Sequence, residues 1–363
     1  MRVLRFGATI TTAVLFACNG GRGGYTRIAL PLGSSLTRPI NAVGSRNTDP
    51  KLYVVNAGNS TVSVFELADT SSTPTLITGG GLYGPSGAAL DAKGDLYVTN
   101  PVLDSVSVFD TAHADAVVST ISGPRKQYYP GGMTVDASGN LYIANAGVKS
   151  LSVFKHLPSA DALTITGGGL NAPWGVAVGA SGKLYVANEN RNSVSVFDTT
   201  HGNAALMPIT GGGLNFPFGI AIAPSGKLYV ANLIGDSVSV FDTSHGNAAL
   251  TRITGGGLRG PSGMAFATSG RLYVANSGAN SVSVFDTTHR NAALKPITGG
   301  GLDFPYGVAV RQSIGTPQKG RRRIGHADRR KVSTERQDVD PPFTLPASTP
   351  DRPDDPAREA RRE

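Results

Sequence analysis

Residues 184–197 read LYVANENRNSVSVF (Leu184–Phe197), and this stretch decides the fold because the chain repeats it. LYVVN begins at Leu52, LYVTN at Leu96, LYIAN at Leu141, and LYVAN at Leu184, Leu228 and Leu272, at steps of 43 to 45 residues. TVSVF follows at Thr61, and SVSVF or SLSVF at Ser105, Ser150, Ser193, Ser237 and Ser281. A third phrase, ITGGGL, starts at Ile77, Ile165, Ile209, Ile253 and Ile297, and decays to Ile121-Ser122-Gly123-Pro124 between the second and third copies. A fourth, Pro-x-Gly before a short apolar run, occurs at Pro85, Pro130, Pro173, Pro217, Pro261 and Pro305. A fixed period of this size is the mark of a repeat architecture.

Each copy reads as four short strands. In the fourth these are A at Gly175–Val178, B at Leu184–Asn188, C at Ser193–Asp198 and D at Leu206–Thr210, separated by Gly- and Asn-rich reversals. Both faces of Leu184-Tyr185-Val186-Ala187 are apolar, and the Ser193–Phe197 strand alternates valine with small serine. A sheet with one wet face would alternate apolar with charged residues, so these strands need cover on both sides. Four-stranded blades packed face to face around an axis supply it. The expected fold is all-β: a six-bladed β-propeller of four-stranded antiparallel blades. A β-solenoid, with shorter repeats and one strand per face, is the alternative. The first A strand is degraded to Pro39-Ile40-Asn41-Ala42-Val43, whereas Gly307–Val310 (GVAV) is an A strand in excess. The ring is therefore expected to close by Gly307–Val310 pairing beside Leu52–Asn56, which removes two open edges.

Composition agrees. The 47 glycines and 23 prolines at 40% apolar content suit many short strands rather than long helices. Aromatic residues make up 7%, so the core is chiefly Val, Leu, Ile and Ala. The net charge is +8, but seven basic residues lie between Lys319 and Lys331, so it says little about the folded body. The only cysteine, Cys18, excludes an internal disulfide and a Cys-rich zinc site.

Met1–Gly7 carries Arg2 and Arg5, and Ala8–Ala17 is an uncharged, mostly apolar run too short to span a bilayer. These features describe a secretory signal peptide over residues 1–17. The sequence Leu15-Phe16-Ala17-Cys18 resembles the lipobox of bacterial lipoproteins, although Phe16 is bulkier than usual there. The resemblance implies lipidation at Cys18; an ordinary signal peptide with a chance cysteine is the other reading. Residues 18–37 then form a flexible tether, 38–311 the propeller, and 312–363 a disordered basic, Pro-rich tail. That tail is either a natural solvated extension or the product of a frameshift in a gene that encoded further repeats.

The phrases LYVAN, SVSVF and Pro-x-Gly-Val-Ala-Val resemble NHL and YVTN-type propeller repeats of bacterial envelope proteins, from about Arg38 to Arg311. The resemblance implies the fold and a place in the cell envelope, lipid-anchored or secreted. It leaves function open, since propellers host many activities.

In an up-and-down blade the D–A and B–C connections share one face, where loops on a rigid scaffold commonly carry binding. The x of Pro-x-Gly is Trp174, Phe218 and Tyr306 in three copies, and these rings form a candidate aromatic collar at the central channel for an apolar or sugar ligand. Wedging between blades is the competing role for them. Asn188, Asn190, Asn232, Asp236, Asn276 and Asn280 are candidate contact residues on the same face. His113, His201, His245 and His289 recur as Asp-Thr-x-His, with the third position varying, in C–D loops on separate blades, with His156 close by in its own repeat. Ligands of one ion must lie within about 2.0–2.3 Å of it, so a structural role is expected, and neither metal nor cofactor is called for. ITGGGL lacks the lysine and following helix of a phosphate loop.

The A strands hold no charged residue or histidine, and the last three repeats are near copies, which supply the same group several times rather than distinct catalytic roles. The expectation is a non-catalytic binding or scaffold propeller, monomeric, with a protein or polysaccharide partner and no nucleic acid. The alternative is a metal-assisted lyase or lactonase, which the resemblance to streptogramin lyases and gluconolactonase-like hydrolases keeps open.

Overall fold

A computed structural model describes residues 50–113, 115–122, 128–155 and 162–312. The signal peptide, Cys18, the tether, Pro39–Val43, His156 and the tail from residue 313 lie outside the described residues. Six antiparallel sheets follow one another, each built from strands A to D in that order. Blade 2 runs Ala88–Leu90, Asp95–Asn100, Ser105–Asp110 and Ala116–Ser122; blade 5 runs Pro217–Ile222, Leu228–Asn232, Ser237–Asp242 and Ala248–Thr254.

Closure is as the sequence implies. Blade 1 takes its B, C and D strands from Lys51–Asn56, Thr61–Glu66 and Thr75–Ile77, and its A strand from the far end of the repeats, Pro305–Arg311. Leu52 pairs with Val310, Tyr53 with Ala309, Val54 with Val308 and Val55 with Gly307.

Two boundaries differ from the sequence reading. Strand A of blade 4 begins at Pro173 rather than Gly175, with a register shift between Pro173 and Val176 that turns the intervening Trp174 and Gly175 out of the ladder. Strand D of blades 4 and 6 is split, as Ala204–Ala205 with Ile209–Thr210 and as Ala292–Ala293 with Ile297–Thr298. Pro208 and Pro296 fall in the gaps, where a residue with no N–H interrupts an edge strand.

The core lies between sheets, not within one. Ala177, Tyr185, Val194 and Val196 of blade 4 pack against Ile220, Leu228, Val230 and Phe241 of blade 5. Leu52, Val54 and Phe65 of blade 1 pack likewise on Tyr273, Ala275 and Val282 of blade 6. Apolar residues on both faces of every B and C strand are thereby used.

The Pro-x-Gly glycines set the inner radius. A Cβ on Gly219 would overlap the carbonyl oxygen of Ser262, and one on Gly87 would lie 2.5 Å from that of Gly131. Gly132 approaches Trp174, Gly175 approaches Phe218, Gly263 approaches Tyr306 and Gly307 approaches Ser86 in the same way. Each inner strand thus abuts the next at a point where no side chain fits.

The D–A loops are pinned by the ends of the B strands. Asn232 accepts the N–H of Asn215 and donates through Nδ2 to Ser239 Oγ at 3.0 Å, and Ser239 Oγ donates to the carbonyl of Gly212 at 2.8 Å. Gly212, at φ +61°, lies over Phe241, and a Cβ there would sit 2.5 Å from the ring. The middle glycine of ITGGGL and the phenylalanine of SVSVF therefore form one contact between a loop and the blade it enters.

Candidate functional site

The A strands line a central channel that differs at its two ends. At the end formed by the D–A and B–C connections, Trp174 and Phe218 stack with ring centroids 4.5 Å apart and planes at 26°. Tyr306 meets Phe218 edge-on at 5.4 Å and 75°, reaching across blade 6, where the same position is the fully buried Ser262. Trp174 lies over Gly131, whose Cβ would be 2.6 Å from the indole. Three large residues are accommodated because Ser86, Gly131 and Ser262 are small in the remaining blades. The rings stand at the channel mouth and pack on one another across the ring of blades. The rings help to line a cavity of about 50 Å3 at this end, and a second cavity of about 260 Å3 is lined by such residues as Leu90, Val135, Val178 and Val310 toward the other.

The aromatic row continues outward. Tyr129 packs edge-on against Trp174 at 5.9 Å, and Phe304 lies 5.4 Å from Tyr306. Trp174 Nε1 donates to Glu189 Oε2 at 2.6 Å, which fixes the indole by a residue of the B–C turn of its own blade. Burial and, next, the Glu189 carboxylate push the Tyr306 hydroxyl above its ordinary pKa, so it stays neutral. Beside Tyr129 the B–C turns of blades 2 and 3 expose Val102 (59%), Leu103 and Val148, and Tyr83 is exposed nearby. Ile234 is exposed in the B–C turn of blade 5. Sequence reasoning missed this aliphatic extension, whose signal was the replacement of an Asn-rich turn by Pro101-Val102-Leu103.

The six candidate polar residues divide into two groups. Asn188, Asn232 and Asn276 are 0% exposed. Their amides face inward: Asn188 Nδ2 donates to Ser195 Oγ and Asn276 Nδ2 to Ser283 Oγ, both at 2.9 Å, and each Oδ1 accepts a loop N–H. They hold the corner of the blade. Asn190, Asp236 and Asn280 are exposed. Asp236 and Asn280 adopt positive φ and accept the N–H of Gly260 and of Phe304, so they clamp the loop that leaves their blade while their outer surface faces solvent.

The histidines stand in local turns. His201, His245 and His289 place Nδ1 within 2.8–2.9 Å of Asp198, Asp242 and Asp286, three residues earlier, and His113 pairs with Asp110 in the same way. Among the described residues no three His, Cys, Asp or Glu side chains converge as a metal site. Hydrogen bonds from Thr200, Ser244 and Thr288, followed by those from the histidines, hold Asp198, Asp242 and Asp286 down at about 2. An unfolded Asp titrates near 3.9, so the folded pKa is depressed. The resulting stabilisation is fully present above about pH 4 and is lost as pH falls toward 2. The triple variant Asp198→Asn/Asp242→Asn/Asp286→Asn is expected to show a shallower fall in melting temperature between pH 4 and pH 2 than the parent chain; equal slopes would remove these turns as a source of acid sensitivity.

With this geometry in hand, relatives are informative. Residues 170–197 match the family model of the NHL repeat. The matched segment is the loop entering blade 4 with its A, B and C strands, and the other five repeats carry the same phrases. No curated protein matches the chain. Among solved structures, a chain of a nidogen/laminin complex superposes with a TM-score of 0.63 at 16% identity, covering 73% of this chain and 99% of its own. A virginiamycin B lyase from Staphylococcus aureus superposes at 0.54 and 12%, covering 72% and 89%. A protein of unknown function from Bacteroides caccae superposes at 0.58 and 12%, covering 72% and 98%. These likenesses show the β-propeller fold.

Proposed function

We propose that this chain is a non-catalytic binding propeller of the bacterial cell envelope, held there through Cys18, that docks a protein partner on the face bearing the aromatic row. The observation that carries the reading is the continuity of Tyr306, Phe218, Trp174 and Tyr129 with exposed Val102, Leu103 and Val148 on one face. Contiguous exposed apolar surface rimmed by polar residues is the signature of an interaction site, and aromatic residues are enriched at the centres of such sites. The aliphatic part favours a protein over a polysaccharide, because a sugar platform relies on rings flanked by hydrogen-bonding groups. The B–C and D–A connections around the patch carry both signs, Asp104, Glu189 and Asp236 with Lys149, Arg191 and Arg259, which gives it a polar rim.

Trp174 is the chain's single tryptophan, so its emission reports on this face. A partner retained from envelope fractions is expected to shift that emission and to be lost by the variant Val102→Asp/Tyr129→Ala. Hot-spot truncations of this kind typically cost about 2 kcal/mol or more. Equal retention by the variant would sink the reading.

A further inference from the structure

The inter-blade seams differ in what the tyrosine of strand B meets, and the seam between blades 6 and 1 holds a cleft. At three seams that tyrosine reaches the C–D loop of the following blade, whereas Tyr97 and Tyr142 donate to Asp91 and Asp136 in the A–B turns of their own blades. Tyr229 donates to Asn291 Oδ1 at 3.1 Å, Tyr185 to Asn247 Oδ1 at 3.4 Å, and Tyr53 to Asp115 Oδ1 at 3.5 Å. The acceptor stands six residues after the phenylalanine of strand C in each case. Between blades 6 and 1 that position is Ser71. Its hydroxyl is shorter than an asparagine amide and turns back to Asp69 Oδ1 at 2.5 Å. Tyr273 hydrogen-bonds instead to Arg271 of its own blade, and a cleft of about 710 Å3 lies between the blades.

The lining is rich in donors. Arg271 and Lys295 are exposed at its wall, and neither takes part in an ion pair among the described residues. Thr70, Ser71, Ser72 and Thr73 line the opposite side, and Phe65, Val284 and Pro296 give it an apolar component. Asp69 is the one carboxylate in the lining, and it is engaged within its own turn by the N–H and hydroxyl of Ser71. Two cations facing hydroxyl groups across an apolar patch match a compact polyhydroxylated anion.

We propose that the cleft between blades 6 and 1 binds a small carboxylate- or phosphate-bearing ligand, its anion held by Arg271 and Lys295 and its hydroxyls by the Thr70–Thr73 loop. The site is separate from the aromatic face and does not depend on the function assigned to it.

Titration calorimetry with two probes, sodium glucuronate and inorganic phosphate, distinguishes a sugar acid from a simple phosphate. At least one is expected to bind with Kd below about 10 mM. The double variant Arg271→Gln/Lys295→Gln is expected to weaken that binding about tenfold or more. Ser71→Asn, which restores the acceptor for Tyr273, is expected to weaken it as well, at an unchanged or higher melting temperature. Lys183→Gln, the counterpart of Arg271 at the seam between blades 4 and 5, is expected to leave it unchanged. Absence of binding by both anions, equal binding by the double variant, or an equal loss in Lys183→Gln would each overturn the assignment.

Discussion

Deleting residues 305–311 is expected to abolish cooperative unfolding of the propeller. This segment forms the inner strand of blade 1 and pairs with all six residues of Lys51–Asn56. It carries Val308 and Ala309 into the core, each 5% exposed, and Arg311, whose guanidinium donates to the carbonyl of Thr111 in blade 2 at 2.7 Å. A fully buried aliphatic side chain contributes about 1.5–3 kcal/mol, and each lost ladder hydrogen bond about 1 kcal/mol. The sum is comparable with the whole stability of a typical domain, about 5–15 kcal/mol. Calorimetry of the deleted chain should show a broad transition or none. A melting temperature within about 3 °C of the parent, less than the shift expected from about 1–2 kcal/mol, would show that the ring does not need this strand.

The second large effect is expected at Gly219. Alanine there drives its methyl group into the carbonyl oxygen of Ser262, which belongs to the neighbouring inner strand. That oxygen is backbone and has no rotamer by which to withdraw, so blades 5 and 6 must move apart and loosen the contacts of Tyr229, Val238 and Met264. Overpacking of this kind costs about 1–3 kcal/mol or more. Gly211 is the control. Its φ is +82° and a Cβ there meets nothing within 4 Å, so alanine meets backbone strain alone, of about 1–2 kcal/mol. Urea unfolding of the two variants should rank Gly219→Ala as the more destabilised, and the reverse order would contradict the packing argument.

Much of this was legible before any coordinates. Repeated phrases gave blade number and strand order, and the surplus Gly307–Val310 strand gave the closure, because alternation, turn residues and period are local properties of the chain. The Trp174, Phe218 and Tyr306 set was also visible, since Pro-x-Gly fixes where the middle residue stands. Other features depend on neighbours that no single repeat contains. Asn188, Asn232 and Asn276 read as loop residues by type, yet each fills its acceptor and donor capacity inside the blade. Their presence in all six copies, beside turns that vary freely, was the available sign of a structural duty. The split of strand D at Pro208 and Pro296 was likewise written in the sequence, in a residue without an N–H. The cleft beside Tyr273 was not, because it arises from Ser71, almost the length of the propeller away in sequence.

The late-arriving strand of blade 1 also governs how the chain comes to be made. Asn56 and Asp303, which touch in the finished ring, are 247 residues apart, and contacts so distant form slowly because the intervening chain must first be gathered in. While the polypeptide emerges in order from its N-terminus, blades 2 to 6 have every strand to hand before the first blade does. Lys51–Asn56 keeps an unsatisfied edge until synthesis has passed Arg311. A message cut short anywhere upstream of Pro305 therefore releases a product with an open backbone seam, a template for clumping and a ready target for proteases.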